Sequence, residues 1–210
     1  MLTSLTKKSF QQGISILTAQ DKDLEKAVIQ WGEPPFWVDP PGFPSLLLAI
    51  LSQQVSLESA RATFSKLENI LPSITPEGFL ALSDETLRAI GFSRQKTSYV
   101  RGLAHNILAG ELVLGGLQML SDDQVKERLM DIRGIGAWTA DTYLLFSLRR
   151  ADAWPSGDLA LIKAIKELRG LAATPSAQEA DRIADAWRPW RSVAARILWH
   201  HYLNERGRSM

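Results

Sequence analysis

Along most of the chain, apolar residues recur at helical spacing, and short clusters of Gly, Pro and Ser separate one run from the next. Residues 21–31 read as a first amphipathic helix. Residues 32–44 hold Pro34, Pro35, Pro40, Pro41 and Pro44 and form a stiff connector, with Pro44 suited to the first turn of a helix. From Ser45 to about Leu71, Leu47, Ile50, Leu51, Val55, Leu57, Phe64, Leu67 and Ile70 keep a helical pattern, which Gln53, Gln54 and Ser56 interrupt. Shorter helices follow at about 76–81 and 84–90, the second stopped by Gly91 as a left-handed residue. Another helix covers 93–109 and ends at Gly110. Ser121 with Gln124 three positions on is a capping box that opens a helix through Met130. Further helices run over about 136–148, 158–170, 176–187 and 189–204. Residues 1–20 look too polar for a core helix and read as an arm. The best strand signal, Leu112-Val113-Leu114, is short. The pattern predicts an all-α protein of two helical lobes with a cleft between them.

Composition narrows the class. The 210 residues can bury a core without staples, and the absence of cysteine excludes disulfides, thiolate zinc, iron–sulfur clusters and a thiol nucleophile. No apolar run approaches the roughly 20 residues of a membrane span, and residues 1–20 do not read as a signal peptide. Lys and Arg number 24 against 23 Asp and Glu, so any basic footprint must be local. Residues 188–210, with five Arg and one Glu, are the one clearly basic stretch: a candidate phosphate contact or a solvated tail. Seven tryptophans are more than core filling asks for, and some suit a recognition surface.

The most informative segment is Asp131-Ile132-Arg133-Gly134-Ile135-Gly136-Ala137-Trp138-Thr139-Ala140-Asp141. Glycines between two helices permit positive φ and close approach of another backbone, and the second helix presents free N–H groups and the positive end of its dipole. Such a turn can hold a phosphate oxygen without net basic charge. Taken alone it is equally a tight corner with no ligand. Twenty-two residues after Gly136 stands Asp158, within Trp154-Pro155-Ser156-Gly157-Asp158-Leu159-Ala160-Leu161-Ile162-Lys163, where it is well placed to cap a helix.

Here the sequence resembles the helix-hairpin-helix (HhH-GPD) DNA glycosylases, in particular their alkylation-repair, 3-methyladenine branch. The resemblance lies in 129–146 for the hairpin and 154–163 for the catalytic loop. It extends to Ile50-Leu51-Ser52-Gln53-Gln54-Val55-Ser56 for the wedge and to Trp187-Arg188-Pro189-Trp190-Arg191-Ser192 through Trp199 for the last helix. It implies an all-α fold with a helix-hairpin-helix motif, as one compact domain over 1–210 with lobes near 1–40 plus 155–210 and 41–154, without the N-terminal sheet domain of some relatives. It also implies hydrolysis of the N-glycosidic bond of alkylated purines such as 3-methyladenine and 7-methylguanine, in double-stranded DNA, after base flipping.

In that reading Asp158 is the catalytic residue. Cleavage builds positive charge at C1′, and a fixed carboxylate stabilises it and orients or deprotonates the attacking water. A purine alkylated at N3 or N7 is already cationic and leaves without a paired general acid. Relatives that also cleave the strand carry a lysine at the position of Trp138, so Trp138 implies a monofunctional enzyme that leaves an abasic site. Trp138 and Trp199, from matching family positions, and Tyr143, from its place in the second hairpin helix, are candidates for the base pocket, where electron-rich rings suit a cationic base; each is equally a candidate for core packing. Trp187 and Trp190 read as structural.

Arg133, Gly134, Ile135, Gly136 and Thr139 are the expected DNA-backbone contacts. Gln53 and Gln54 are the wedge, with Gln54 as the plug, or else a polar helix patch. No cofactor is required; the resemblance carries over a monovalent Na+ or K+ held at the hairpin by the backbone carbonyls of Met130, Ile132 and Ile135. His105, His200 and His201 suggest no metal site. The expected partner is damaged duplex DNA, with no membrane, and the protein is expected as a cytoplasmic monomer, nucleoid-associated if bacterial. The competing readings are a non-catalytic helix-hairpin-helix DNA-binding module, a glycosylase for deaminated or oxidised bases, and a helical interaction scaffold docking through 34–41.

Overall fold

The structure, a computed structural model, describes residues 4–208. Those residues form twelve α-helices and one 3-10 helix, without a strand.

Within the stretch whose polarity predicts an arm, the chain instead forms α1 (Lys7–Gln20), opened by a capping box between Thr6 and Ser9. Its buried stripe is Phe10, Gly13, Ile14 and Leu17, an i, i+3, i+4, i+7 face hidden among polar neighbours. Gly13 is part of that contact, since a Cβ there would lie 2.8 Å from Trp190 Cε3. Asp21 caps α2 (Lys22–Trp31) through its side chain.

The long helical pattern after Ser45 is two helices, α3 (Phe43–Leu51) and α4 (Leu57–Ile70). They are separated because Gln54 takes a left-handed φ of 59° and the Ser56 side chain caps a new helix. There follow α5 (Pro76–Leu80), α6 (Asp84–Ile90), α7 (Arg94–Leu108), α8 (Asp122–Met130) and α9 (Ala137–Phe146). Leu112-Val113-Leu114 is no strand: Val113 is exposed and the chain enters the 3-10 helix Leu114–Met119. The last helices are α10 (Leu159–Leu168), α11 (Ala177–Asp185) and α12 (Arg191–Asn204).

The chain divides into two compact units, one comprising the residues through Val38 and those from Leu144 onward, the other Asp39–Tyr143. Residues 144–154, assigned from sequence to the central lobe, belong to the terminal unit, where Leu5 N–H donates to Arg149 O at 2.6 Å. In that unit α12 packs against α1, α2, α10 and α11. Its polar-looking sequence hides a core helix, because Arg196 is fully buried. The Arg196 guanidinium donates to the carbonyls of Ser192, Trp37 and Leu145 at 2.9–3.0 Å. It also lies within 5.4–5.7 Å of the ring centres of Phe10, Phe36 and Phe146. In the central unit, α7 packs against α3, α5 and α6. No helix of the described residues is long and apolar enough to cross a membrane.

Two predictions follow from the terminal unit. Arg196→Met keeps the volume but leaves buried carbonyls without a donor, so urea unfolding should show a loss of about 3 kcal/mol. The second concerns His201. Burial pushes its imidazole below the ordinary value, with Glu205 and Glu167 opposing that shift and Arg206 adding to it. Between the two pKa values the unfolded chain binds a proton that the folded chain resists. Stability from this residue is therefore complete above the unfolded pKa of about 6.5 and declines as pH falls below it. His201→Gln should flatten the acid limb of a plot of unfolding midpoint against pH; an unchanged limb would remove His201 from the account.

Candidate active site and DNA-contacting hairpin

In the central unit, α8, the turn after it and the start of α9 form the hairpin. Ile132 and Ile135 bury their side chains beneath the turn, and Ile135 N–H donates to Ile132 O at 3.0 Å. Lys126 on α8 pairs with the buried Asp141 on α9 at 2.9 Å and holds the two helices together.

The two glycines do different work. Gly134 has φ of 95°, and a Cβ there would come within 2.2 Å of the Tyr99 ring from α7, so geometry and packing both demand glycine. Gly136 is not left-handed and is exposed, with nothing within 4 Å of where a Cβ would stand. Its carbonyl accepts from Ala140 N–H at 3.0 Å and begins α9. The first-turn amides of α9 thus open beside a bare backbone surface. Arg133 and Ala137 are exposed beside it.

Gln53 and Gln54 part ways. The Gln53 side chain turns inward, its Nε2 donating to Gly134 O at 2.8 Å and to Thr139 Oγ1 at 2.9 Å. Gln53 is therefore the anchor of the loop at 52–56, not its tip. Gln54 is exposed, in the left-handed conformation that lifts it out of the helix path. On the other flank the Lys96 amine donates to Leu51 O, and burial lowers the pKa of that amine. Thr139 is buried and its hydroxyl serves Gln53.

Tyr143 is buried in the core and its hydroxyl accepts from Gly42 N–H at 3.2 Å. Burial raises the pKa of the phenol while the Gly42 bond lowers it, and a base-stacking face is not presented. Trp138 is half-buried in the first turn of α9. Met130 is half-exposed at the end of α8, and the Ile132 carbonyl already takes the Ile135 N–H. Among the described residues there is no group of three or more His, Asp or Glu that could hold a metal ion.

In the terminal unit Asp158 is the N-cap of α10. Three donors converge on its Oδ1: Ala160 N–H and Leu161 N–H, both at 2.9 Å, and Trp199 Nε1–H at 3.2 Å. They fix the plane of a half-buried carboxylate whose neighbours Ser156, Gly157 and Leu159 are exposed. Trp199 stacks on Phe146, centroids 5.3 Å apart and planes at 20°. One face of its indole is thus covered and its N–H is given to the carboxylate, so Trp199 orients Asp158. The oxygen that caps α10 is thus also the one that the indole holds.

Trp187 and Trp190 are buried, and Trp187 Nε1 donates to Asp21 Oδ2 at 2.8 Å. Four of the five arginines of the basic stretch are engaged within the fold: Arg188 and Arg191 pair with Asp152 at 2.7 and 3.0 Å, Arg206 pairs with Glu167 at 2.6 Å, and Arg196 is buried, while Arg208 is exposed. His200 and His201 turn toward Trp31, its carbonyl and its indole N–H respectively. Sequence reasoning missed Tyr99, Lys96 and Asp181, which buttress the hairpin, the wedge loop and the loop before Asp158. Each lies far along the chain from what it supports, so no spacing signals it.

The chain is similar in sequence and fold to known proteins. The chain is 30% identical over 203 residues to DNA-3-methyladenine glycosylase 1 of Schizosaccharomyces pombe, covering 95% of this chain and 88% of that one. It is 34% identical over 123 residues to the DNA-3-methyladenine glycosylase of Bacillus subtilis, covering 59% of this chain and 41% of that one. Among solved structures, the Schizosaccharomyces pombe 3-methyladenine DNA glycosylase in complex with abasic DNA superposes with a TM-score of 0.83 at 28% identity, covering 90% of this chain and 95% of that one. A DNA-3-methyladenine glycosidase from Bacillus halodurans gives 0.77 at 30% identity, covering 93% and 91%. The profile of the family described as HhH-GPD superfamily base excision DNA repair protein matches residues 47–189. With that match over most of its length, the chain belongs to the HhH-GPD superfamily of base excision DNA repair proteins.

Proposed function

We propose that the protein is a monofunctional DNA glycosylase that hydrolyses the N-glycosidic bond of alkylated purines, 3-methyladenine and 7-methylguanine, in duplex DNA. The observation that carries this reading is the Asp158 carboxylate, its Oδ1 held by three donors at the start of α10 among exposed neighbours. A preoriented anion of this kind stabilises the positive charge that grows on the deoxyribose as the base leaves. It also directs the attack of water at C1′ and takes up its proton. The base departs with the bonding electron pair, which neutralises the cationic ring of an alkylated purine. No protonating partner is then needed.

The hairpin supplies the grip. The open first-turn amides of α9 beside Gly136 suit a phosphate oxygen, and Arg133 lies exposed next to them. Gln54, raised at the tip of its loop, fills the gap left by an everted nucleotide. Trp138 offers no amine at the position where strand-cleaving relatives carry a lysine, so the product is an intact abasic strand. The carbonyls of Met130, Ile132 and Ile135 are oxygen donors suited to a monovalent cation, which would add positive charge near the phosphate. The enzyme acts as a monomer on the DNA of its own cell. The relatives named as DNA-3-methyladenine glycosylases support the same substrate class.

The deciding experiment is excision from duplexes carrying 3-methyladenine, 7-methylguanine, hypoxanthine, 8-oxoguanine or uracil, with abasic products separated from nicked ones. Release of the two methylpurines without nicking is expected; nicking without alkali would overturn the monofunctional assignment. Asp158→Asn keeps a capping oxygen for α10. It should lower single-turnover excision by about 100-fold or more, with the Kd for an abasic-analogue duplex unchanged.

The glycines separate fold from grip. Gly134→Ala should destabilise the protein by about 2 kcal/mol or more, since it combines strained φ with a clash. Gly136→Val should leave the unfolding midpoint in place and weaken duplex binding about tenfold, the loss of one charge-assisted contact. Equal effects of both substitutions on stability would contradict the division of roles.

A further inference from the structure

The loop that delivers Asp158 is tethered from outside its own helix. Between Ala153 and Asp158 the chain turns sharply: Ser156 N–H donates to Trp154 O at 2.9 Å, Asp158 N–H donates to Pro155 O at 3.2 Å, and Gly157 has φ of 76°. Ser156 and Gly157 are exposed, so burial alone does not hold the turn. A second carboxylate does. Asp181 on α11 accepts Trp154 Nε1–H on Oδ1 at 2.9 Å and Ser156 Oγ–H on Oδ2 at 2.7 Å. One donor on each oxygen fixes the carboxylate plane and spans the turn from the buried Trp154 to the exposed Ser156. Both bonds are charge-assisted, which makes them stronger than neutral equivalents.

The tether has firm backing. The Trp154 ring meets Trp187 at 5.8 Å and 61°. Trp187 in turn is bonded to Asp21. α11 opens with a capping box between Ser176 and Glu179 and buries Ala180 and Ala184 on either side of Asp181. Asp158 is therefore held twice: downstream by the α10 amides and Trp199, which orient the side chain, and upstream by Asp181, which fixes where the backbone enters the helix. Between Ser156 and Asp158 stands a single residue, a glycine, so slack at Ser156 passes directly to the carboxylate.

We propose that Asp181 is a positioning residue for base excision: by clamping Trp154 and Ser156 it sets the placement of the Asp158 carboxylate against the sugar. This rests on the assignment of Asp158 as the reacting group. Electrostatic stabilisation of a developing cation depends steeply on placement, and displacements of about 1 Å cost large factors in rate. Asp181 touches neither substrate nor reacting atoms; it acts through the turn.

The test uses the full-length protein and a 7-methylguanine duplex, with single-turnover excision rate, Kd for an abasic-analogue duplex and thermal midpoint measured for each variant. Asp181→Asn should lower the excision rate about tenfold while the Kd stays within about twofold of wild type. Ser156→Ala, at an exposed position that the fold tolerates, should lower the rate in the same direction. The double variant should lose no more than Asp181→Asn alone, because both remove one clamp. A wild-type rate in Asp181→Asn or Ser156→Ala, multiplicative losses in the double variant, or a loss that tracks weakened DNA binding would each overturn the proposal. Asp158→Asn in the same assay separates the two levels: if it excises normally, the reading of the reacting carboxylate fails, whereas an inactive Asp158→Asn beside a fully active Asp181→Asn sinks only the clamp.

Discussion

A single oxygen, Asp158 Oδ1, receives two backbone amides and an indole N–H, and much of the terminal unit is arranged to make that possible. The amides require α10 to begin at Leu159. The indole requires α12 to present Trp199 at the level of that first turn, and Phe146 backs the indole by stacking. Arg196, three residues before Trp199, keeps the polar-looking α12 in the core by satisfying carbonyls from three segments of the unit. The constraint is economical in a physical sense. The bonds that start the helix are also the bonds that orient an anion, so local stability and chemical preorganisation come from the same contacts.

The central unit solves a different problem, which is to expose backbone without losing shape. Tyr99 fills the space over Gly134, the two isoleucines lock the turn from below, and the Lys126–Asp141 pair closes the hairpin. Gln53 ties the neighbouring loop to the same turn through Gly134 O and Thr139 Oγ1. The loop tip and the hairpin turn are thereby one connected body within the unit, joined by a side chain that the family resemblance had placed in an exposed wedge. In a near-neutral chain most of whose C-terminal arginines are engaged with carboxylates and carbonyls, the helix N-terminal amides carry partial positive charge without a formal one.

Family membership places the chain in base excision repair. The profile match spans the segments that supply the hairpin and the carboxylate, and the structural relatives superpose over nine-tenths of the chain. The side chains then refine the roles within the site. Trp199 and Tyr143, grouped by chemistry as aromatic candidates, separate on inspection: one orients the carboxylate and the other is core, its hydroxyl satisfied by Gly42.

What the sequence determined by itself was whatever is written locally. Capping residues, helix stops and apolar periodicity placed nearly every helix, because those signals act over three or four neighbouring residues. The hairpin and the Asp158 loop were readable for the same reason, each being a contiguous run with strong local chemistry. α1 escaped because polar composition masked a narrow buried face that relies on a glycine for its closest contact. The break after Leu51 stood in the sequence as three polar residues; the left-handed turn at Gln54 that makes it a loop did not. Only the tertiary structure could decide which glycine is obligatory, which glutamine faces inward and which acid accepts from Trp154 and Ser156. Tyr99 with Gly134, Gln53 with Thr139 and Asp181 with Ser156 are pairs 25 to 86 residues apart. Contacts between such distant positions are set by how helices pack, and no local rule of spacing encodes them.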